Sequence, residues 1–376
     1  MSEKRVLILS ASAGAGHVRA AQALEDAARR RGGVVTRHID VLEALGKVYK
    51  KLYGDSYLST VNQTPEFWGY MYLQTDRTRF RHKTPRLIEL FDRLHARNFV
   101  SSIVQGKPDA ILCTHFVGPS LLLTRRGRHA FPAPVTVAVT DFDVHSFWIH
   151  DGVAKYFVAS EEIRWLLQRK GVPAERIQVT GIPILPAFAE KRPKPEARAA
   201  LGLDPARTTV LVLGGGFGVG HVERVVGETL QVPGDFQVMV VAGRNEGLRK
   251  RLSEVRPPAG KALRVFGFVD NMHELMDAAD VAISKSGGLT VSECLTKGLP
   301  MIVFAPIPGQ EECNASYLLE HGAGLLAKDL HALPFKLARI LSEPGLLARM
   351  ARGAAQLGHP QAAHDVLEAT LATIGA

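Results

Sequence analysis

Cysteine is scarce in this chain of 376 residues. Cys113, Cys294 and Cys313 are all it has, and no two stand in a C-x-x-C spacing. That excludes a disulfide framework and a zinc ribbon, and it fits a reducing compartment. Long apolar runs are missing as well, since none approaches the ~20 residues of a spanning helix. The start mimics a secretory leader, with Lys4-Arg5, an apolar run and Ala11-Ser12-Ala13. Its apolar part covers only residues 6–9, however, where a leader needs about 7–15. A buried first strand explains it better. The expectation is a cytoplasmic protein whose membrane contact, if any, is peripheral.

Two nucleotide fingerprints are absent too. Small-residue loops follow a strand and precede a helix at Gly14-Ala15-Gly16-His17 and at residues 214–220, which read GGGFGVG. A dinucleotide fingerprint needs Gly at i, i+2 and i+5. The first loop puts Arg19 at the last position, and the second puts Val219 or His221 there. A P-loop needs Gly-Lys followed by Ser or Thr. Gly46-Lys47, Gly106-Lys107 and Gly260-Lys261 all lack it. His273-Glu274 lacks the second His of a metalloprotease helix.

The composition is that of a folded chain, 46% hydrophobic and 22% charged. Its length exceeds one ordinary core, so two domains are expected. The net charge is +9, and between Arg77 and Arg128 eleven Lys or Arg face three Asp or Glu. Such a patch attracts polyanions (nucleic acid, anionic lipid or a phosphorylated substrate), and charge alone does not choose among them.

Short apolar runs bounded by Gly, Pro or polar residues predict strands at 6–9, 34–38, 110–113, 135–139 and 156–159. A helix is predicted over 18–30, and residues 41–105 read as mostly helical. Residues 183–209 are rich in Pro, Lys and Arg and read as a linker. Strands resume at 210–213, 237–241, 263–266, 281–284 and 301–304, with helices between them and a helical end from about 330. The predicted fold class is α/β, two doubly wound Rossmann-like domains facing a central cleft. In such sheets ligands bind beyond the carboxyl ends of the strands.

The most specific stretch is 267–324. Ser286-Gly287-Gly288 forms a small-residue turn after a strand, and Leu289-Thr290-Val291-Ser292-Glu293 starts a helix. Bare N–H groups and the helix dipole suit a diphosphate there. Glu293, one turn in, is placed to accept from ribose hydroxyls. Pro308-Gly309-Gln310-Glu311 opens another helix with polar groups that suit sugar hydroxyls.

This stretch resembles the donor half of GT-B glycosyltransferases of family 28, closest to the monogalactosyldiacylglycerol synthases and processive diacylglycerol glucosyltransferases. The resemblance runs through SASAGAGHVRAA, VTDFDVHSFWI, YFVASEEIR, VTGIPI, GGGFGVG, GFVDNM, SGGLTVSE and PGQEECN, in that order. It implies a UDP-sugar donor. Phe268 and Val269 would flank the uracil and Glu293 would hold the ribose. Gly216, Phe217, Gly218, Ser286, Gly287, Gly288, Leu289 and Thr290 would face the diphosphate, with Gly16 nearby. Gln310, Glu311 and Asn314 would contact the hexose. One departure is Leu185, where many relatives carry an Arg that approaches the diphosphate; Lys285 is a candidate replacement. The implied organisation is an acceptor and membrane domain over 1–190, a linker over 191–206, a UDP-sugar domain over 207–345, and C-terminal helices over 346–376 that pack back toward the first domain.

On the acceptor side His17 is the candidate base, because its ordinary pKa suits proton abstraction near neutrality. Asp141 would orient it or bind the acceptor, and His145 and His115 are secondary candidates. Asp141-Phe142-Asp143 mimics a metal-binding motif of the other large glycosyltransferase fold. Two βα halves speak against that fold, so no metal and no cofactor are expected. Residues 61–80 combine Phe67, Trp68, Tyr70 and Tyr72 with Arg77, Arg79 and, just beyond, Arg81. Aromatics beside cations describe an interfacial membrane anchor, although a core helix also looks like this. The leading expectation is transfer of glucose or galactose from a UDP-sugar to diacylglycerol or a diacylglycerol glycolipid at the cytoplasmic membrane face, with an anionic membrane surface as partner and no nucleic acid. The alternatives are an N-acetylglucosaminyltransferase acting on a lipid-linked peptidoglycan precursor and a non-catalytic UDP-sugar sensor.

Overall fold

The computed structural model describes residues 3–46, 65–77, 99–103, 105–123, 132–214 and 222–375. The chain divides into two compact units. One comprises Met1–Pro186, Ile307–Gln310 and His359–Ala376; the other comprises Ala187–Pro306 and Glu311–Gly358.

The first unit is built on strands β1 (Lys4–Ser10), β2 (Val34–Asp40), β3 (Ala110–Cys113), β4 (Val135–Ala138), β5 (Val153–Val158) and β6 (Ile177–Val179). All pair in parallel, in the order β2-β1-β3-β4-β5-β6. The central strands are buried along their length, as a sheet covered on both faces requires. One face packs a cluster that includes Leu9, Ile111, Val137, Trp148 and Tyr156. The other is covered by the helix Ala15–Arg31, through Ala21, Leu24, Ala27 and Ala28, and by the helix Ala362–Leu371 through Val366 and Leu367. Val366 and Leu367 are fully buried, and each such side chain contributes ~1.5–3 kcal/mol. An ion pair between Arg31 and Glu368 joins these two helices.

The second unit has β7 (Thr209–Leu213), β8 (Phe236–Val241), β9 (Lys261–Phe266), β10 (Val281–Ser284), β11 (Met301–Phe304) and β12 (Gly324–Ala327), again all parallel. Their order is β12-β11-β10-β7-β8-β9. In each sheet the strand order reverses once beside the first strand of the unit. The reversal falls between β1 and β3 in the first sheet and between β7 and β10 in the second. Crevices at such points are where open α/β sheets bind ligands.

Two strands escaped the sequence pattern. β6 has three residues, of which only Ile177 is buried, and β12 is the four-residue run GLLA. Residues 191–206, read from the sequence as a linker, are not devoid of structure. They contain the helix Lys194–Ala200, whose Ala197 and Arg198 are buried. The Arg198 guanidinium donates to the carbonyls of Ala278 and Pro205 and pairs with Asp280, which also pairs with Lys194. The cationic composition that suggested a loop is this anchorage.

Candidate active site

The loop after β1 brings His17 into the first turn of the helix Ala15–Arg31, at the reversal between β1 and β3. The pairing of Leu9 with Cys113 sets Thr114 beside it. His17 Nδ1 lies 3.0 Å from the Thr114 carbonyl oxygen and 2.8 Å from Thr140 Oγ1, and Thr114 Oγ1 donates to the His17 carbonyl at 2.8 Å. A carbonyl only accepts, so Nδ1 carries the hydrogen and Nε2 keeps the lone pair. The residue keeps part of its surface accessible, yet protein atoms crowd the ring. Burial pushes its pKa down to about 4, against a smaller upward pull from the Thr114 carbonyl. His17 is therefore neutral at neutral pH, with Nε2 ready to accept a proton.

His115 meets His17 edge-on with ring centres 4.5 Å apart and stacks on Phe116 at 4.1 Å. It is buried, accepts from the Val117 amide through Nδ1, and is held well below its ordinary pKa by burial and by His17. Trp148, also buried, lies 6.3 Å from His17. The printed bonds of His17 Nδ1 go to Thr114 and Thr140, and Asp141 follows Thr140 in the chain. Burial pushes the Cys113 and Cys294 thiols up, so neither is a nucleophile.

The segment 141–148 that follows β4 is tied to the helix Pro65–Arg77. Tyr72 Oη donates to Asp143 Oδ2 at 3.0 Å, and Asp143 Oδ1 accepts from the Val144 amide at 2.7 Å. His145, placed by sequence with the acceptor, has both ring nitrogens engaged inside the protein. Nδ1 accepts from the Phe147 amide, and Nε2 reaches the Tyr72 carbonyl at 3.1 Å and Thr75 Oγ1 at 3.2 Å. These bonds tie it to the helix. The helix presents Phe67, Tyr70, Met71 and Leu73 outward, 57, 60, 39 and 52% exposed. Trp68 and Arg77 belong to it, but their side chains lie outside the described residues, as do Arg79 and Arg81. Tyr72 is instead half-buried against Gly309, whose φ of 87° and the nearness of the Tyr72 ring both demand glycine.

In the second unit β10 ends at Ser284 and the helix Gly288–Lys297 begins without a side-chain cap. The N–H groups of Gly288, Leu289 and Thr290 thus head a helix free to take an anion. Lys285 stands half-buried just before it. Ser286 Oγ donates to the Glu311 carbonyl at 2.6 Å, and Asn314 Nδ2 donates to the Ser286 carbonyl at 2.9 Å. These bonds fasten the turn to the helix Gln310–Glu320, and Asn314 is wholly buried. Glu311 lies beside Gly287, with Oε1 3.7 Å from where a Cβ would stand. Glu293 is buried one turn into its helix, and Gln310 is half-buried. Phe268 is 55% exposed after β9, with Val269 half-buried beside it, and the Arg244 guanidinium sits 4.8 Å over the Phe268 ring. Gly216, Phe217 and Gly218 lie outside the described residues. Gly16 belongs to the first unit, whereas the other described donor candidates apart from Gln310 belong to the second. Among the described residues no group of three or more His, Cys, Asp or Glu is placed to hold a metal ion.

Residues 17–184 match the protein family described as monogalactosyldiacylglycerol (MGDG) synthase, and residues 209–366 match the glycosyltransferase family 28 C-terminal domain. A processive diacylglycerol beta-glucosyltransferase of Bacillus cereus (strain ATCC 14579) is 32% identical, over 98% of this chain and 93% of its own. The chain belongs to this glycosyltransferase family. The enzyme of the same name from Bacillus subtilis (strain 168) is 28% identical over 98% of this chain and 94% of its own. The crystal structure of MurG from Acinetobacter baumannii superposes with a TM-score of 0.66 at 18% identity, covering 98% of this chain and all of that one, and it shares the GT-B fold.

Leu185, singled out from the sequence, is half-buried in the first unit. The side chain packs into the apolar cluster with Val6, Ile8 and Leu24. The residues that sequence reasoning missed are Thr114 and Thr140, which set the tautomer of His17, and Asp76 and Lys170, which bind the aromatic helix. Thr140 stands one residue before Asp141, and Thr114 directly follows β3, the strand that β1 pairs. Both are uncharged residues whose importance comes only from strand register.

Proposed function

We infer that this glycosyltransferase moves a glucosyl or galactosyl group from a UDP-sugar to the hydroxyl of diacylglycerol or of a glycolipid built on it, at the cytoplasmic face of a membrane. The observation that carries the chemistry is the Thr114 carbonyl on His17 Nδ1, which leaves Nε2 as a neutral base. Kinship with the diacylglycerol glucosyltransferases supports the substrate class.

In the proposed reaction His17 Nε2 takes the proton of the acceptor hydroxyl as its oxygen bonds the anomeric carbon. The bond from that carbon to the β-phosphate oxygen breaks, and UDP leaves. The charge that develops on the diphosphate is met by the uncapped N–H groups of Gly288, Leu289 and Thr290 and by Lys285. Phe268 and Val269 take the uracil, Glu293 the ribose, and Gln310 and Glu311 the hexose. Asn314 acts by holding the Ser286 turn in place. The reaction as proposed uses neither metal nor cofactor.

Membrane contact is assigned to the exposed face of the helix Pro65–Arg77. Four of the ten large hydrophobic side chains that the described residues leave exposed lie on this one helix. No helix among the described residues is long and apolar enough to cross a membrane. Contact is then interfacial, and the basic run after Asp76 attracts anionic lipid.

Incubation with UDP-glucose or UDP-galactose and diacylglycerol vesicles is expected to release UDP and form glycolipid. Donor binding without turnover, or turnover only with UDP-N-acetylglucosamine and a lipid-linked muropeptide, would overturn the assignment.

A further inference from the structure

A half-buried polar knot joins the outward-facing aromatic helix to the segment that follows β4. Asp76, near the end of the helix Pro65–Arg77, accepts through Oδ1 from the Ser146 amide at 2.8 Å, from Ser146 Oγ at 2.7 Å and from Lys170 Nζ at 2.6 Å. Lys170, at the end of the helix Glu161–Arg169, also donates to the Val144 carbonyl at 2.9 Å. Burial raises the Asp76 carboxyl, but the Lys170 ammonium and the two Ser146 donors outweigh it and hold the group below its usual range. Two more ties run in parallel, from Tyr72 to Asp143 and from His145 to the Tyr72 carbonyl and Thr75.

These bonds link three elements distant in sequence, and none lies on the base. The outer face of this helix, through Phe67, Tyr70, Met71 and Leu73, is exposed, so among the described residues its orientation rests on its inner side. Its inner side offers Tyr72, Thr75 and Asp76, and each is bonded to residues of 143–146. Three residues before Asp143 stands Thr140, which bonds His17 Nδ1.

We propose that Lys170 is a positioning residue for the lipid acceptor. Through Asp76 it fixes the aromatic helix to the segment 140–146, so that lipid engaged by the exposed face is delivered in register with the base. This rests on the glycolipid-synthase reading given above. Lys170 touches neither substrate; it sets the angle at which the helix meets the lipid surface. A single ammonium that reaches a carboxylate and a carbonyl on two elements supplies both direction and charge.

The test uses the full chain with Lys170→Met, Lys170→Arg and Asp76→Asn, each checked for thermal unfolding near the wild-type temperature. Kinetics are read with diacylglycerol presented in vesicles of phosphatidylglycerol and phosphatidylcholine. Lys170→Met and Asp76→Asn are expected to raise KM for the vesicle acceptor about tenfold while KM for the UDP-sugar stays within twofold. Lys170→Arg is expected to recover most of the loss. Hydrogen exchange supplies a readout independent of turnover: the amides of 66–77 should exchange at least tenfold faster in Lys170→Met, and those of the helix Gly288–Lys297 at the wild-type rate. Unchanged exchange in 66–77 overturns the proposal, and so does an equal rise in both KM values. A wild-type chain that fails to transfer sugar defeats the functional reading, and the exchange result then decides on the positioning role by itself.

Discussion

The Nδ1 atom of His17 lies 3.0 Å from the carbonyl oxygen of Thr114. This contact chooses the tautomer, because a carbonyl has no hydrogen to give. The Thr140 hydroxyl is the second neighbour of the same nitrogen, at 2.8 Å. Serine hydrolases steady their histidine with an aspartate that stabilises the imidazolium. Here a carbonyl and the Thr140 hydroxyl do the steadying, and burial disfavours the charged ring. Such a base serves best when proton transfer is concerted with bond formation, so that a free imidazolium need not persist.

His17→Ala should lower the transfer rate by ~10²–10⁴, the range of a lost general base, with KM for the UDP-sugar nearly unchanged. The acid limb of the wild-type profile should fall near pH 4, far below the ordinary 6.5 of a histidine. Initial rates with saturating donor, taken from pH 4 to 8, check both. An acid limb at 6.5, or a His17→Ala enzyme at full rate, would show that another group removes the proton.

The same burial makes stability depend on pH. The pKa of His17 is lower in the folded chain than in the unfolded one, so the unfolded state binds more protons between about 4 and 6.5. Its contribution is complete above 6.5 and is lost as pH falls through about 4. At ~1.4 kcal/mol per unit the loss from this one group is on the order of a few kcal/mol. His115 and His145 shift in the same direction, the first by burial and by His17, the second chiefly by burial. Urea midpoints measured from pH 7 down to 4.5 should decline steadily. A flat profile would mean that these rings are solvated in the folded chain.

Both sheets were legible because a buried parallel strand leaves a dense apolar run, as at 110–113 and 281–284. The helix within residues 191–206 was not legible because Pro and Lys dominate the stretch, whereas Arg198 forms its bonds to residues near 280, out of reach of any local pattern. His17 was legible as a histidine after a glycine loop, but its supports were not. Thr114 and Thr140 reach it only through the pairing of β1 with β3 and of β3 with β4. His145 was assigned to the acceptor because histidines beside aspartates suggest chemistry. Its bonds to the Tyr72 carbonyl and Thr75, some seventy residues away in the chain, were out of reach of that reasoning.

Asn314 separates two roles that sequence alone merges. If it holds the Ser286 turn, Asn314→Ala leaves the buried Ser286 carbonyl without its donor and costs ~1–3 kcal/mol. A urea midpoint shift of that size, with KM for the donor rising as the turn loosens, is the expected outcome. Full stability with a selective loss of affinity for the hexose portion would instead put the amide on the sugar.

Asp141-Phe142-Asp143 invites a test with chelator. Both oxygens of Asp143 already accept hydrogen bonds, from Tyr72 Oη and from the Val144 amide, so this carboxylate is committed within the fold. Transfer in excess EDTA should proceed at no less than half the rate found without it. A rate abolished by EDTA and restored by Mg²⁺ or Mn²⁺ would assign the leaving diphosphate to a metal rather than to the helix Gly288–Lys297 and Lys285.

The exposed face of the helix Pro65–Arg77 can be varied without entering a core. Phe67, Tyr70 and Leu73 are each more than half exposed, so polar substitutions there remove little packing from the folded chain. Moving an aromatic or leucine side chain out of water is worth ~1.5–3 kcal/mol when complete. At an interface only part of that is realised, about one decade in affinity per residue. Phe67→Ser with Leu73→Ser should therefore weaken co-sedimentation with phosphatidylglycerol vesicles by roughly a hundredfold, using a tenfold effect for each. Thermal unfolding should stay near that of the wild type. High salt should weaken binding by the parent chain as well, because the basic run beyond Asp76 acts through charge. Vesicle binding that is untouched by both substitutions and lost only in salt would place the lipid contact on the cations alone, and the aromatic helix would then need another partner.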